Sequence, residues 1–224
     1  MQSRTRLRAL WPFIPYIVVS VIHVISNATH GPLTTPTKAL LMPLLALPVL
    51  LAWKRLGPRR AVILLLAALF FSWLGDEAGL FFPAAPELPL MLGFFGVAHV
   101  AYIVLFLRHL RVQRYPLWTL GYAAWWILMM VILGPHTGSL LIAVGAYGIV
   151  LAGTAATSAR CRPMIAWGGA FFLASDSILA FRLFEPAAMP DWTSPMVMVT
   201  YTIGQGLIVA GALIALRRPR IFRR

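Results

Sequence analysis

Eight long apolar runs alternate along the chain with short connectors rich in proline, glycine and charge: Leu10–Ala28, Thr37–Trp53, Ala61–Phe82, Leu88–Leu107, Pro116–Leu133, Gly138–Thr157, Met164–Phe184 and Ser194–Leu216. A membrane-crossing helix needs about 20 predominantly apolar residues, with roughly 17–25 tolerated, and each run meets that length. His30-Gly31-Pro32, Gly57-Pro58, Pro83-Ala84-Ala85-Pro86, Gly134-Pro135 and the stretch from Glu185-Pro186 to Pro190 carry turn chemistry between them. Connectors this short make successive helices antiparallel neighbours. The pattern predicts an all-α polytopic membrane bundle of eight transmembrane helices, forming a single transmembrane domain over residues 1–224.

Composition agrees. The 224 residues are 60% hydrophobic and 11% charged, against roughly 45–50% apolar and about 25% charged in soluble domains. Intrinsic disorder is excluded as well, because it requires low hydrophobicity. The net charge of +13 points away from nucleic acid once the cations are placed. Seventeen of the 19 lysines and arginines lie in the N-terminal tail (Arg4, Arg6, Arg8), the C-terminal tail (Arg217 onward) and the 2–3, 4–5 and 6–7 connectors. The alternate connectors hold none. By the positive-inside rule both termini face the cytoplasm, in a plasma or inner membrane. The first apolar run is too long for a signal-peptide core and no small-residue cleavage site follows it, so it reads as a retained helix. Cys161 is the single cysteine, which leaves no internal disulfide and no cysteine-based metal cluster.

Zoning the cations isolates the residues that break the zoning. Lys38 opens the second run and Arg182 closes the seventh. Of six acids, Glu87, Glu185 and Asp191 fall in or beside outer connectors, leaving Asp76, Glu77 and Asp176. An ionisable side chain within a span costs about 2.5 kcal/mol or much more and is by default a functional hypothesis. Asp76 lies fifteen residues past Ala61, roughly 22 Å deep at ~1.5 Å per residue, and Asp176 twelve past Met164, roughly 18 Å deep. Gly75 and Gly79 flank Asp76 at the spacing that lets helices approach closely. Ser175 and Ser177 flank Asp176 with hydroxyls able to bond its carboxyl group. Glu77 points about 100° away from Asp76 and nearer the surface.

Other polar positions at similar depth extend the candidate set: His99 with Tyr102 at i+3, His23 with Asn27 at i+4, and Thr200, Tyr201 and Gln205 on the last run. The bland alternatives are helix-packing carboxylates, satisfied interhelical histidines, and cations that snorkel to the interface. A shift of one hundred residues also superposes Phe71/Phe171, Asp76/Asp176 and Phe81/Phe181, which predicts two four-helix halves, residues 10–107 and 116–216.

Two carboxyl groups in a low-dielectric site can hold different protonation states, giving one acid and one base. That pairing suits hydrolysis, with one group protonating substrate and the other activating water. No G-x-S-x-G, H-E-x-x-H, G-x-G-x-x-G or phosphate-loop pattern competes. Neither a cofactor nor a metal is implied.

Phe71-Ser72-Trp73-Leu74-Gly75-Asp76, Phe94 through His99 to Tyr102, and Leu173-Ala174-Ser175-Asp176-Ser177-Ile178-Leu179-Ala180 resemble the motifs of the YhhN-type lysoplasmalogenase family. Thr37-Lys38 followed by Leu40-Leu41-Met42-Pro43 resembles its second-span motif, with Ala39 where that motif has proline. The resemblance covers essentially the whole chain. It implies an alkenyl ether hydrolase that splits the vinyl ether of lysoplasmalogen into a fatty aldehyde and a glycerophospho-base, with Asp76 and Asp176 as the family aspartates. The implied partners are the lysolipid substrate and membrane lipids, with Lys38, His99 or Arg182 receiving the phosphate. Buried acids and an internal repeat also fit a second class, a small-solute or lipid transporter coupled to protons. An intramembrane aspartyl protease shares only the Gly75-Asp76 fragment.

Overall fold

Proline and glycine punctuate the chain where the apolar runs end. The computed structural model describes residues 11–218; Arg4, Arg6, Arg8, Arg220, Arg223 and Arg224, counted above in the cationic zone, lie outside the described residues. Eight long helices follow: α1 (Ile14–Ala28), α2 (Thr34–Ala52), α3 (Arg59–Asp76), α4 (Glu87–Leu105), α5 (Leu120–Leu133), α6 (Leu141–Ser158), α7 (Pro163–Phe184) and α8 (Thr193–Leu216). No strand occurs among the described residues. Pro58 and Pro86 are extended and immediately precede α3 and α4, while Pro163 occupies the first position of α7. Proline suits these sites because the first helical turn has no use for its missing N–H. His30, with φ 51°, turns the chain out of α1, and the Gly31 N–H closes that end on the Ser26 carbonyl at 2.7 Å.

Together with their short 3-10 and π extensions, seven helical stretches are long and apolar enough to cross a membrane: Trp11–Ala28, Thr34–Arg55, Glu87–Leu110, Leu117–His136, Gly138–Ser158, Pro163–Phe184 and Thr193–Leu216. The chain is therefore a multi-pass membrane protein. The eighth helix, α3, has 18 residues and carries three charges, Arg59, Arg60 and Asp76.

The third apolar run differs most from expectation. Ala61–Phe82 is not one helix: α3 ends at Asp76, Glu77 leaves helical geometry at φ −107° and ψ 20°, and a separate turn covers Ala78–Phe81. This bend folds Phe81 against Trp73, with ring centroids 4.9 Å apart. A continuous apolar run carries no mark of such a local backbone change. Gly75 and Gly79 therefore do not share one straight helix, yet both lie against the α4 segment. A methyl group at Gly75 would sit 2.5 Å from the Phe95 ring, and one at Gly79 2.8 Å from the Glu87 carboxyl carbon.

Helix packing is closest between α7 and α8. A methyl at Gly168 would lie 2.9 Å from the Gly204 carbonyl oxygen, and one at Gly204 2.9 Å from the Phe172 nitrogen, so the two backbones touch. Small residues permit this approach where lipid supplies no hydrophobic driving force between helices. Connectors meet in sets. Gly57 donates to the Leu216 carbonyl and Arg218 to the Arg55 carbonyl, each at 3.0 Å, and Val112 donates to the Arg160 carbonyl at 2.8 Å. On the alternate connectors His136 pairs with Glu185, and Ser194 is hydrogen-bonded to Asn27. α5 lies at the periphery, with Leu133 its single buried residue.

Candidate active site

Five helices deliver polar side chains into the middle of the bundle, in two arrays. Asp76, the last residue of α3, accepts a hydrogen bond from the Tyr201 hydroxyl of α8 at 2.7 Å. Gln205, one turn further along α8, donates to the Tyr201 oxygen at 3.5 Å and to Ser72 at 3.1 Å. Its own carbonyl accepts from Tyr102 of α4 at 2.5 Å. The i, i+4 spacing of Tyr201 and Gln205 puts both on one face of α8.

Asp176, midway along α7, is hydrogen-bonded through Oδ2 to the Tyr147 hydroxyl of α6. Tyr147 also lies 3.2 Å from Nε2 of His99 on α4, whose Nδ1 lies 3.0 Å from the Thr154 hydroxyl of α6. The His99 Nε2 to Asp176 Oδ2 distance is 3.8 Å. Asp76 thus faces α8, and Asp176 faces α6 and α4.

Phe172 and Phe95 stand between the arrays. The Phe172 ring centroid is 4.7 Å from that of His99 and 5.4 Å from that of Tyr201. Phe95 packs edge-on against both Phe172 and Tyr201.

Access differs for the two. Asp176 and Tyr147 line an apolar cavity of about 50 Å³ between α4, α6 and α7, walled by Leu88, Met91, Phe95 and Leu179. Roughly 10–15 Å³ suffices for one water, so water fits beside this carboxyl. A larger groove of about 500 Å³ runs between α1 and α8, walled by residues such as Val24, Ile203 and Ala210, and neither aspartate lines it.

The other residues singled out in the sequence are distributed as follows. Ser175 and Ser177 do not bond Asp176: their hydroxyls donate to the Val197 and Leu173 carbonyls, at 3.0 and 2.6 Å. A hydroxyl within a helix readily satisfies a carbonyl of its own or a packed helix, and both do so here. Glu77 is turned inward by the bend rather than outward, and is only 3% exposed, with one oxygen unpartnered. Lys38 of α2 has no carboxylate oxygen within 4.0 Å among the described residues. His23 is buried against Thr37, with Nδ1 2.9 Å from that hydroxyl. Asn27, on the same helix, is occupied by Ser194 at 3.0 Å. Arg182 donates to Thr193 at 2.6 Å and to the Pro190 carbonyl at 3.3 Å. His99 and Tyr102 are fully buried. Sequence reasoning missed Tyr147 and Thr154. Their i, i+7 spacing on one face of α6 was the available signal.

No curated protein and no solved structure matches the chain. Residues 33–212 match the sequence pattern of the YhhN family, a span that runs from the start of α2 through most of α8 and includes both aspartates with every partner named in the two arrays. The chain belongs to the YhhN family.

Proposed function

We propose that this protein is a membrane-embedded hydrolase that cleaves the vinyl ether of lysoplasmalogen-like lysolipids into a fatty aldehyde and a glycerophospho-base. YhhN is a family associated with lysoplasmalogenase activity. The observation that carries the reading is the placement of Asp76 and Asp176 in two distinct hydrogen-bond arrays of one buried region, one of them opening on an apolar cavity. Vinyl ether hydrolysis begins with proton transfer to carbon, which needs a carboxylic acid, and continues with water addition, which needs a base. Two carboxyl groups with different partners supply both. Apolar walls of leucine, methionine and phenylalanine beside Asp176 suit an alkenyl chain.

Lys38 is the better seat for the lipid phosphate. His99 is fully buried with both ring nitrogens occupied, and Arg182 is tied to Thr193 and Pro190. All eight long helices cross the membrane in this reading, with α3 carrying Arg59 and Arg60 at its cytoplasmic end. Both termini are cytoplasmic, in accord with the pairing of the cationic connectors among themselves. The chain forms one domain of two four-helix halves, with the glycine-mediated pairs α3–α4 and α7–α8 in corresponding places.

One feature favours a second reading, a proton-coupled carrier. The helix break at Glu77 beside an embedded acid resembles the discontinuous helices of transporters. The corresponding helix α7 runs unbroken past Asp176, whereas that class breaks its helices in pairs.

The test is aldehyde release by detergent-purified protein from lysoplasmalogen and from an ester lysophospholipid. Release from the former alone, lost in Asp76→Asn and Asp176→Asn, is the expected result. No aldehyde from folded protein, or full activity in both variants, refutes the hydrolase. Solute uptake into proteoliposomes driven by a pH gradient marks the carrier.

A further inference from the structure

Each aspartate meets a tyrosine hydroxyl, and the two differ in what stands behind that hydroxyl, an amide donor behind Tyr201 and an imidazole nitrogen behind Tyr147. Around Asp76 the bonds from Tyr102 through Gln205 and Tyr201 run toward the carboxyl group, and the other Gln205 amide hydrogen goes to Ser72. Tyr102 donates to the Gln205 carbonyl, the Gln205 amide donates to the Tyr201 oxygen, and the Tyr201 hydrogen goes to Asp76. A carboxyl group at the end of a chain of donors is served as an acceptor, which is the role of a carboxylate.

Around Asp176 the count comes out differently. Thr154 has one hydroxyl hydrogen, and it goes to main-chain carbonyls, that of Val150 one turn back at 2.9 Å and that of His99 at 3.4 Å. The His99 Nδ1 contact to Thr154 at 3.0 Å therefore has the imidazole as donor, so Nδ1 carries hydrogen and Nε2 of a neutral ring is an acceptor. Two contacts remain, Nε2 to the Tyr147 oxygen and the Tyr147 oxygen to Asp176 Oδ2. Each needs one hydrogen, and Tyr147 supplies only one. The second must sit on Asp176 or on Nε2. Either way the three residues together hold one proton more than an ionised aspartate beside a neutral histidine.

We propose that Asp176, Tyr147 and His99 hold one proton in common, which makes Asp176 the proton donor of the reaction, Asp76 the base, and Tyr147 and His99 the positioning residues that keep the donor loaded. This rests on the hydrolase reading above and deepens it. In the resting arrangement Asp176 donates to the Tyr147 oxygen and Tyr147 donates to Nε2. Asp176 gives its proton to the vinyl carbon, the C=C π pair forming the new C–H bond and leaving an oxocarbenium ion. The Tyr147 hydrogen then turns from His99 to the new carboxylate, a bond absent in the ground state and so available to stabilise the transition state. Water adds to the oxocarbenium carbon and loses a proton to Asp76. In the collapse of the hemiacetal, its hydroxyl proton returns to Asp176 while Asp76 passes its proton to the departing glyceryl oxygen. Aldehyde and alcohol leave, and both carboxyl groups are as they began.

The titratable groups facing Asp176 are His99 of α4, Tyr147 of α6 and, across Phe172 and Phe95, Asp76 of α3. Infrared difference spectroscopy in H₂O and D₂O reads the protonated carboxyl directly and needs no substrate. The expected carboxylic C=O band disappears in Asp176→Asn, persists in Asp76→Asn and shifts in Tyr147→Phe, where the O–H loses its acceptor. A band that disappears in Asp76→Asn instead, or one indifferent to Tyr147→Phe, overturns the proposal.

Kinetics provide the second readout. Tyr147→Phe keeps the ring on the cavity wall, so kcat falls on the order of 10²-fold with KM nearly unchanged, and the pH profile of kcat moves. His99→Leu behaves alike, and His99→Gln, whose side-chain oxygen can accept from Tyr147, recovers part of the loss. Equal rates and an unmoved pH profile in Tyr147→Phe and His99→Leu overturn the positioning roles. If aldehyde is never released but the band follows Asp176, the shared proton stands and the hydrolase reading falls. If aldehyde release depends on both aspartates but the band belongs to Asp76, the hydrolase stands and the assignment falls.

Discussion

Gly204→Ala probes the contact on which the two arrays depend. The added carbon would lie 2.9 Å from the Phe172 nitrogen, 3.0 Å from the Gly168 carbonyl oxygen and 3.3 Å from the Phe171 carbonyl carbon. These neighbours are backbone atoms of α7, so no side-chain rotation relieves the clash and the helices must separate by several tenths of an ångström. Overpacking of this kind costs typically about 1–3 kcal/mol. The intrinsic helix preference of alanine over glycine returns about 1 kcal/mol. The balance is a net loss of roughly 0–2 kcal/mol, a Tm decrease of a few degrees at most. Activity is the more sensitive readout. Gly204 lies three residues from Tyr201, and Phe172 four from Asp176, so separating α7 from α8 moves the arrays relative to each other. Displacements on the order of 1 Å can cost about 10²-fold in rate. The assay pairs thermal unfolding in detergent with aldehyde release. Gly93→Ala on α4 is the control, because nothing lies within 4 Å of the added carbon, and it should leave Tm unchanged or raise it. Unchanged Tm and full activity in Gly204→Ala would refute the reasoning.

Three further outcomes are expected. Tyr201→Phe deprives Asp76 of its 2.7 Å hydrogen bond and should lower kcat by about 10²-fold with an unchanged circular dichroism spectrum; wild-type kcat would show that the bond is dispensable. Lys38→Ala should raise KM for a phosphate-bearing lysolipid by about 10-fold or more, the loss of one charge-assisted contact of roughly 1.5–3 kcal/mol, and leave kcat nearly unchanged, whereas Arg182→Ala should leave KM alone. Burial pushes the Cys161 thiol, in the α6–α7 connector, up to about 12, with Arg160 opposing the shift only in part. A raised value means that the neutral thiol persists, so at pH 8 only about 10⁻⁴ of the folded protein carries the reactive thiolate. Maleimide should label the native protein very slowly, faster as pH rises, and promptly on denaturation; fast native labelling at pH 7 contradicts the burial.

Much of the fold is legible along the chain. The runs at Met164–Phe184 and Ser194–Leu216 lie within a residue of α7 and α8, because a proline or a charge-bearing connector stands at the ends of each. The bend at Glu77 was not legible, since apolar residues continue on both sides of it. Asp76 and Asp176 stand out because a charge in an apolar run has no cheap explanation. Their nearest neighbours in sequence were misleading, as Ser175 and Ser177 spend their hydroxyls on carbonyls.

The sequence by itself determined that this is a membrane bundle of long helices, which connectors carry cations, and which two acids are out of place. Those are properties of run length and residue type, readable one segment at a time. Only the tertiary structure decided what surrounds each acid. Tyr201 reaches Asp76 across 125 residues and Tyr147 reaches Asp176 across 29, each from another helix. Whether a carboxyl group meets a chain of donors or an acceptor depends on how far each helix is rotated and how deep it sits. Contacts such as Gly168 with Gly204 and Gly75 with Phe95 set that rotation and depth, and they exist only once the helices have packed.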